Sequence, residues 1–168
     1  MKLETILVPL DGSPLAEAAL AEATGLARDS GARLVLLRAV EASLLPGTDL
    51  AAAEVRLVRD AEEYLAAAAA CATSMGAKNV STSVWYGSAP SSIADAACAN
   101  RVSLIVMTTH GRSGLGRIIL GSVADAVLRS TTAPILLLRD ARAPVEPRRA
   151  EVTAPKQAEP AGRHAAGG

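Results

Sequence analysis

This chain predicts an α/β fold: a mainly parallel, five-stranded sheet with helices on both faces. Two observations predict it. Segments of strand character alternate with segments of helix character along most of the length, as in successive β-α-β units. Most of the strand-like segments are continuous aliphatic runs, as parallel strands covered on both faces should be.

The elements follow in order. Leu3 to Pro9 reads as a short buried strand centred on Thr5-Ile6-Leu7-Val8. Asp11-Gly12-Ser13-Pro14 is a turn in which Ser13 suits an N-cap and Pro14 the first helical position. The helix runs through Leu15, Ala19, Ala23 and Leu26 to about Asp29, and Gly31 closes it. Leu34-Val35-Leu36-Leu37 is a second strand, ending near Val40. A loop with Pro46-Gly47 leads to a long Ala-rich helix from Leu50 to about Met75, ended by Gly76. Val80 to Trp85 alternates like a third strand, and Gly87-Ser88 turns into a helix from about Pro90 to Ala99. Ser103 to Met107 is the fourth strand. A helix then starts at Ile118 or Ser122 and ends near Ser130, before a fifth strand over Pro134–Arg139.

Composition bounds the function. The 168 residues are 50% hydrophobic with no Phe, so the core must be Ala, Val, Leu and Ile. Scarce aromatics argue against a single-stranded nucleic-acid platform. Zero formal net charge and the lack of a long basic run argue against nucleic-acid or anionic-membrane partners. No apolar stretch reaches the roughly 20 residues that span a bilayer. Met1-Lys2-Leu3-Glu4 leads straight into a strand without a signal-peptide pattern, so the expected location is cytoplasmic. Cys71 and Cys98 have no CxxC spacing and read as buried small hydrophobes in a reducing compartment. One domain over 1–140 is expected. Beyond it, 141–168 is rich in Ala, Pro and charged residues and reads as a disordered tail.

The most informative stretch is Met107 to Ser122. A strand, a glycine-rich loop with Gly111, Gly114, Gly116 and Gly121, and a helix follow one another. Glycines let backbone N–H groups approach a phosphate, and a helix N-terminus carries partial positive charge. Arg112 and Arg117 add full charges. The expected ligand is a nucleotide. In such sheets ligands lie beyond the carboxyl ends of the strands, where strand order reverses. If strands one and four are neighbours, the loop after Pro9 faces the loop after Met107 across one cleft.

Two segments at opposite ends of the domain carry a resemblance. Ile6-Leu7-Val8-Pro9-Leu10-Asp11-Gly12-Ser13, together with Thr109-His110-Gly111-Arg112-Ser113-Gly114 through Leu120-Gly121-Ser122-Val123, resembles the universal stress protein family. Ala133 to Leu138 is similar to its last strand. The resemblance covers about Lys2 to Arg139. It implies a Rossmann-like, parallel sheet of order 3-2-1-4-5, a homodimer, and either ATP binding or a nucleotide-free role.

The family's ATP-binding pattern is Gly, two residues, Gly, nine residues, Gly, then Ser or Thr. Here Gly111 matches the second Gly, and Gly121-Ser122 completes the pattern after Arg112 to Leu120. The first Gly position holds Thr108. Where a backbone needs φ > 0, a β-branched residue costs about 1–2 kcal/mol; where only space is needed, the loop adjusts. The resemblance implies that Pro9, Leu10 and Asp11 lie beside the adenosine, Val40 touches adenine and Met107 packs on the nucleoside. It also implies that Gly111, Gly121, Ser122 and Val123 meet the phosphates. Arg112 joins them on its charge and position. The family often couples the phosphates to a divalent cation, Mg2+ or Mn2+; the residue pattern assigns it no ligands.

Other readings stand beside these. Asp11 is also an ordinary former of an Asp-Gly turn, and His110 suits a loop hydrogen bond better than a general base with no partner. Nucleophile-elbow, dinucleotide and Walker A patterns are absent, so a binding protein with a regulatory or sensing role is expected rather than an enzyme. Slow ATP hydrolysis stays open. The alternative is a nucleotide-free dimeric adaptor working through protein contacts. The uninterrupted aliphatic run at the presumed edge strand predicts a homodimer joined through Pro134–Arg139.

Overall fold

The structure, a computed structural model, describes residues 2–41, 50–109 and 121–139. Five strands alternate with four helices in it: β1 (Thr5–Pro9), α1 (Pro14–Ser30), β2 (Arg33–Val40), α2 (Leu50–Ser74), β3 (Val80–Tyr86), α3 (Ala89–Ala99), β4 (Leu104–Thr109), α4 (Ser122–Ser130) and β5 (Ile135–Arg139). All pairings are parallel and the strand order is β3-β2-β1-β4-β5. This is the order the resemblance implies.

Local chemistry sets the element ends. The Ser13 hydroxyl accepts the Ala16 N–H at 3.2 Å, Pro14 fills the first turn, and Gly31 stops α1 at φ 73°, a left-handed conformation that glycine adopts without a Cβ penalty. The fourth strand runs two residues further than the sequence suggests. Thr108 and Thr109 continue the ladder opposite Leu138 and Arg139, where β-branched side chains are at home. The helix after the glycine-rich segment starts at Ser122, the later of the two expected starts, with Gly121 at its N-cap.

Strand alternation divides the core in two. On one face Ile6, Val8, Leu34, Leu36, Leu104 and Val106 meet α1 and α2 through Ala19, Ala23, Leu65 and Ala72. On the other, Leu7, Val35, Leu37, Ile105 and Met107 meet α3 and α4 through Ile93, Ala96, Ala124 and Val127. Alanine dominates the helix faces that meet the sheet, and Tyr64 and Trp85 pack at the margins of the two cores. The base of the β1–β4 pair is held by Ser103. Its hydroxyl accepts the N–H groups of Glu4 and Thr5 at 3.0 and 3.1 Å and donates to the Thr5 carbonyl at 2.8 Å.

One expectation is overturned. Cys71 and Cys98 are exposed free thiols, not buried hydrophobes. Helical spacing explains it: Ala61, Leu65, Ala68 and Ala72 form the inward stripe of α2, and Ile93, Ala96 and Ala97 that of α3, so each cysteine turns outward. No helix among the described residues is long and apolar enough to cross a membrane.

Candidate functional site

The crossover helices leave β1 and β4 on opposite faces, because α1 joins the first core and α4 the second. Since β1 and β4 are neighbours, their carboxyl ends border one crevice at that end of the sheet. A cavity of about 200 Å³ occupies it.

Its walls come from six elements of the fold. Pro9, Leu10 and Asp11 descend from β1, and Met107 and Thr108 from β4; Gly121, Ser122, Val123 and Ala124 form the first turn of α4. Leu37 and Ala39 of β2, Ala89 and Ile93 of α3, and Ala16 at the start of α1 complete it. The Leu10 N–H donates to the Leu37 carbonyl at 2.8 Å, so the backbone leaving β1 stays tied to β2 as it enters the site.

The cavity therefore brings together eight of the residues read from the sequence: Pro9, Leu10, Asp11, Met107, Thr108, Gly121, Ser122 and Val123. Val40 is not in its wall. Leu37 and Ala39, two positions apart, share the face that is, and Val40 alternates away from it. The Val40 carbonyl instead accepts the Gly87 N–H at 3.0 Å, closing the β2–β3 end. Gly111, Arg112 and His110, like the 141–168 tail, lie outside the described residues. The apolar contributors Ala16, Leu37, Ala39, Ala89, Ile93 and Ala124 escape sequence reading, since each looks like ordinary core at its own helix or strand spacing.

Asp11 shows its turn role directly: its Oδ1 accepts the Ser13 N–H at 2.9 Å. A carboxylate has two oxygens, so this bond is compatible with a second role at the cavity. Asp11 is the only charged residue in the described wall. Thr108 sits in extended strand, and Arg101 is the only non-glycine residue with positive φ among the described ones. Threonine there carries no left-handed strain. By alternation its side chain falls on the face of Val106, opposite to that of Met107.

The electrostatics at the other wall favour an anion. The first turn of a helix has N–H groups without intrahelical acceptors, and Gly121 has no side chain to cap them. Asp125 in that turn would oppose an anion, but its carboxylate is paired with Arg129 one turn on. The floor of Met107, Leu37, Ala89 and Ile93 is apolar. Among the described residues no group of His, Cys, Asp and Glu could hold a metal ion. The arrangement is built to hold a molecule with an apolar or flat body and an anionic end.

Comparison with known proteins agrees with this architecture. The family model described as universal stress protein matches residues 2–139. A crystal structure from the universal stress protein family of Burkholderia pseudomallei is similar at 31% identity and a TM-score of 0.68, covering 82% of this chain and 96% of that one. The universal stress protein UspA from Lactobacillus plantarum is similar at 26% identity and a TM-score of 0.70, over 83% and 99% of the two chains. The universal stress protein from Archaeoglobus fulgidus in complex with dAMP shares the fold at 24% identity and a TM-score of 0.62, over 82% and 98%.

Proposed function

The chain belongs to the universal stress protein family, and from that premise we propose that it binds an adenine nucleotide, ATP in the first instance, in the crevice between β1 and β4. The observation that carries this is the opposition of two walls across one cavity. Asp11 and its turn stand on one side and the uncapped N-terminus of α4 on the other, above an apolar floor. The dAMP complex of the Archaeoglobus fulgidus protein, which shares the fold, supports an adenine ligand.

Size divides the ligand between the walls. The hollow is smaller than the roughly 300–1,000 Å³ of a typical ligand pocket, so it suits the nucleoside. The phosphates then lie at its mouth, over the first turn of α4. In this reading Pro9, Leu10 and Met107 pack on the adenosine, and Asp11 accepts from a ribose hydroxyl or the adenine amine. Gly111, Gly121, Ser122 and Val123 offer N–H groups to the phosphates, with Arg112 adding charge and a divalent cation, Mg2+ or Mn2+, shared with them. The protein works in the cytoplasm as a regulator or sensor under stress, without fast turnover.

The same reading includes a homodimer through Pro134–Arg139. β5 is the edge of the sheet, bonded to β4 alone among the described strands, and Ile135, Leu136, Leu137 and Leu138 are each only partly buried. Such an aliphatic edge is a template for a second copy.

The test is titration calorimetry with ATP and magnesium on the protein and on Gly121→Val. Gly121 has φ −56° and ψ 148°, which valine also adopts, so the variant adds bulk at the phosphate wall without backbone strain. Saturable binding lost in the variant supports the reading. No heat from the unmutated protein at hundred-micromolar ATP ends it.

A further inference from the structure

Behind the Asp11 wall lies a group of side chains that the cavity does not use. Arg38 is on β2, two residues beyond Leu36, on the face turned toward α1 and α2. Its guanidinium carbon lies 4.8 Å from the centroid of the Tyr64 ring on α2. The same guanidinium covers Gly12: a Cβ placed there would sit 3.6 Å from Nη1 and 3.8 Å from Nη2. Gly12 has φ +85°, which only glycine adopts without strain, so the turn after Asp11 is both conformationally special and roofed by a cation.

We propose that Arg38 is a positioning residue for the nucleotide crevice: braced on Tyr64 and laid over Gly12, it holds the turn that aims Asp11 into the cavity. The proposal rests on the adenine-nucleotide reading above. Arg38 is not in the cavity wall, so its influence must pass through the turn. Three features fit such a role. A planar guanidinium stacks on an aromatic face and presents a rigid edge, which a lysine cannot. The Tyr64 hydroxyl is buried with no geometric hydrogen-bond partner among the described residues, so packing and the Arg38 stack hold the ring. Burial first, then the carboxylate of Glu17, raise the Tyr64 pKa; the Arg38 guanidinium lowers it, Asp11 raises it and the Gly12 backbone lowers it. Asp11, Gly12, Glu17, Arg38 and Tyr64 thus form one electrostatic neighbourhood. Through it α2, which contributes nothing to the cavity wall, is linked to the site.

The experiment is a double-mutant cycle with Arg38→Ala and Asp11→Ala, read by ATP–magnesium calorimetry, beside amide hydrogen exchange of Gly12 and Ser13 in the ligand-free protein. Arg38→Met, which keeps length over the ring without the charge, serves if Arg38→Ala does not fold. Loss of Arg38 is expected to weaken ATP binding by about tenfold when Asp11 is present and by less than about twofold when it is absent, the non-additivity of residues in one network. Exchange at the Ser13 amide, which bonds Asp11, is expected to quicken. Equal losses in both backgrounds overturn the proposal, because a merely structural residue behaves that way. Unchanged Ser13 exchange overturns it whether or not ATP binds. If the unmutated protein binds no ATP, the nucleotide reading falls and the exchange measurement alone decides whether Arg38 holds the turn.

Discussion

Thr108 stands opposite Leu138 in the parallel ladder that joins β4 to β5. The residue that departs from the family's glycine is therefore the inside of a strand, not a hairpin of the phosphate loop. Thr108→Gly is expected to lower stability by about 0.5–1 kcal/mol, as glycine does within a strand. It should leave ATP affinity within a factor of about three, less than one charge-assisted contact is worth. Urea denaturation and calorimetry on the same protein check both halves. A gain in affinity of about tenfold or more, equivalent to about 1.4 kcal/mol, would show that the threonine obstructs the crevice.

Asp11 has two jobs that substitution separates. Asparagine keeps an oxygen for the Ser13 N–H but loses the charge; alanine loses both. Asp11→Asn should retain stability and bind ATP about tenfold more weakly, the loss of a charge-assisted bond. Asp11→Ala should in addition unfold more easily, by about 0.5–1.5 kcal/mol. If the two variants bind ATP as tightly as the parent, Asp11 is a turn residue only.

Ser103 is remote from the crevice and tests the scaffold. Its hydroxyl serves two backbone donors and one acceptor at the start of the β1–β4 pair. Ser103→Ala leaves Glu4 and Thr5 N–H groups without that partner, at a cost of about 1–2 kcal/mol because the site is only partly buried. Thermal and urea melts should show the loss, with ATP affinity unchanged.

The β5 edge predicts the assembly. Light scattering at micromolar concentration should return twice the chain mass. A monomer under those conditions would remove the Pro134–Arg139 interface from the functional reading.

The local signals in the chain were sufficient for the elements. Ser13, Pro14 and Gly31 mark both ends of α1, and the aliphatic runs mark the strands, because caps and periodicities act within a few residues. Even the turn at Asp11 and the start of α4, which both line the crevice, were legible, since aspartate, glycine and the helix start announce themselves locally. What the pattern could not supply was sidedness. Whether Val40 or Ala39 faces the cavity depends on where β2 ends its alternation. The outward turn of Cys71 depends on the phase of α2 against the sheet.

By itself the sequence determined the α/β class, the order of elements along the chain and the two segments from which a nucleotide cleft is read. Only the tertiary structure decided that Leu37, Ala39, Ala89 and Ile93 line that cleft, and that Arg38 crosses from β2 to roof Gly12. The physical reason is that caps, turns and periodicities are hydrogen-bond and burial preferences of neighbours in sequence. A cavity and a stacked cation are made by elements tens of residues apart, and the strand order brings those elements together.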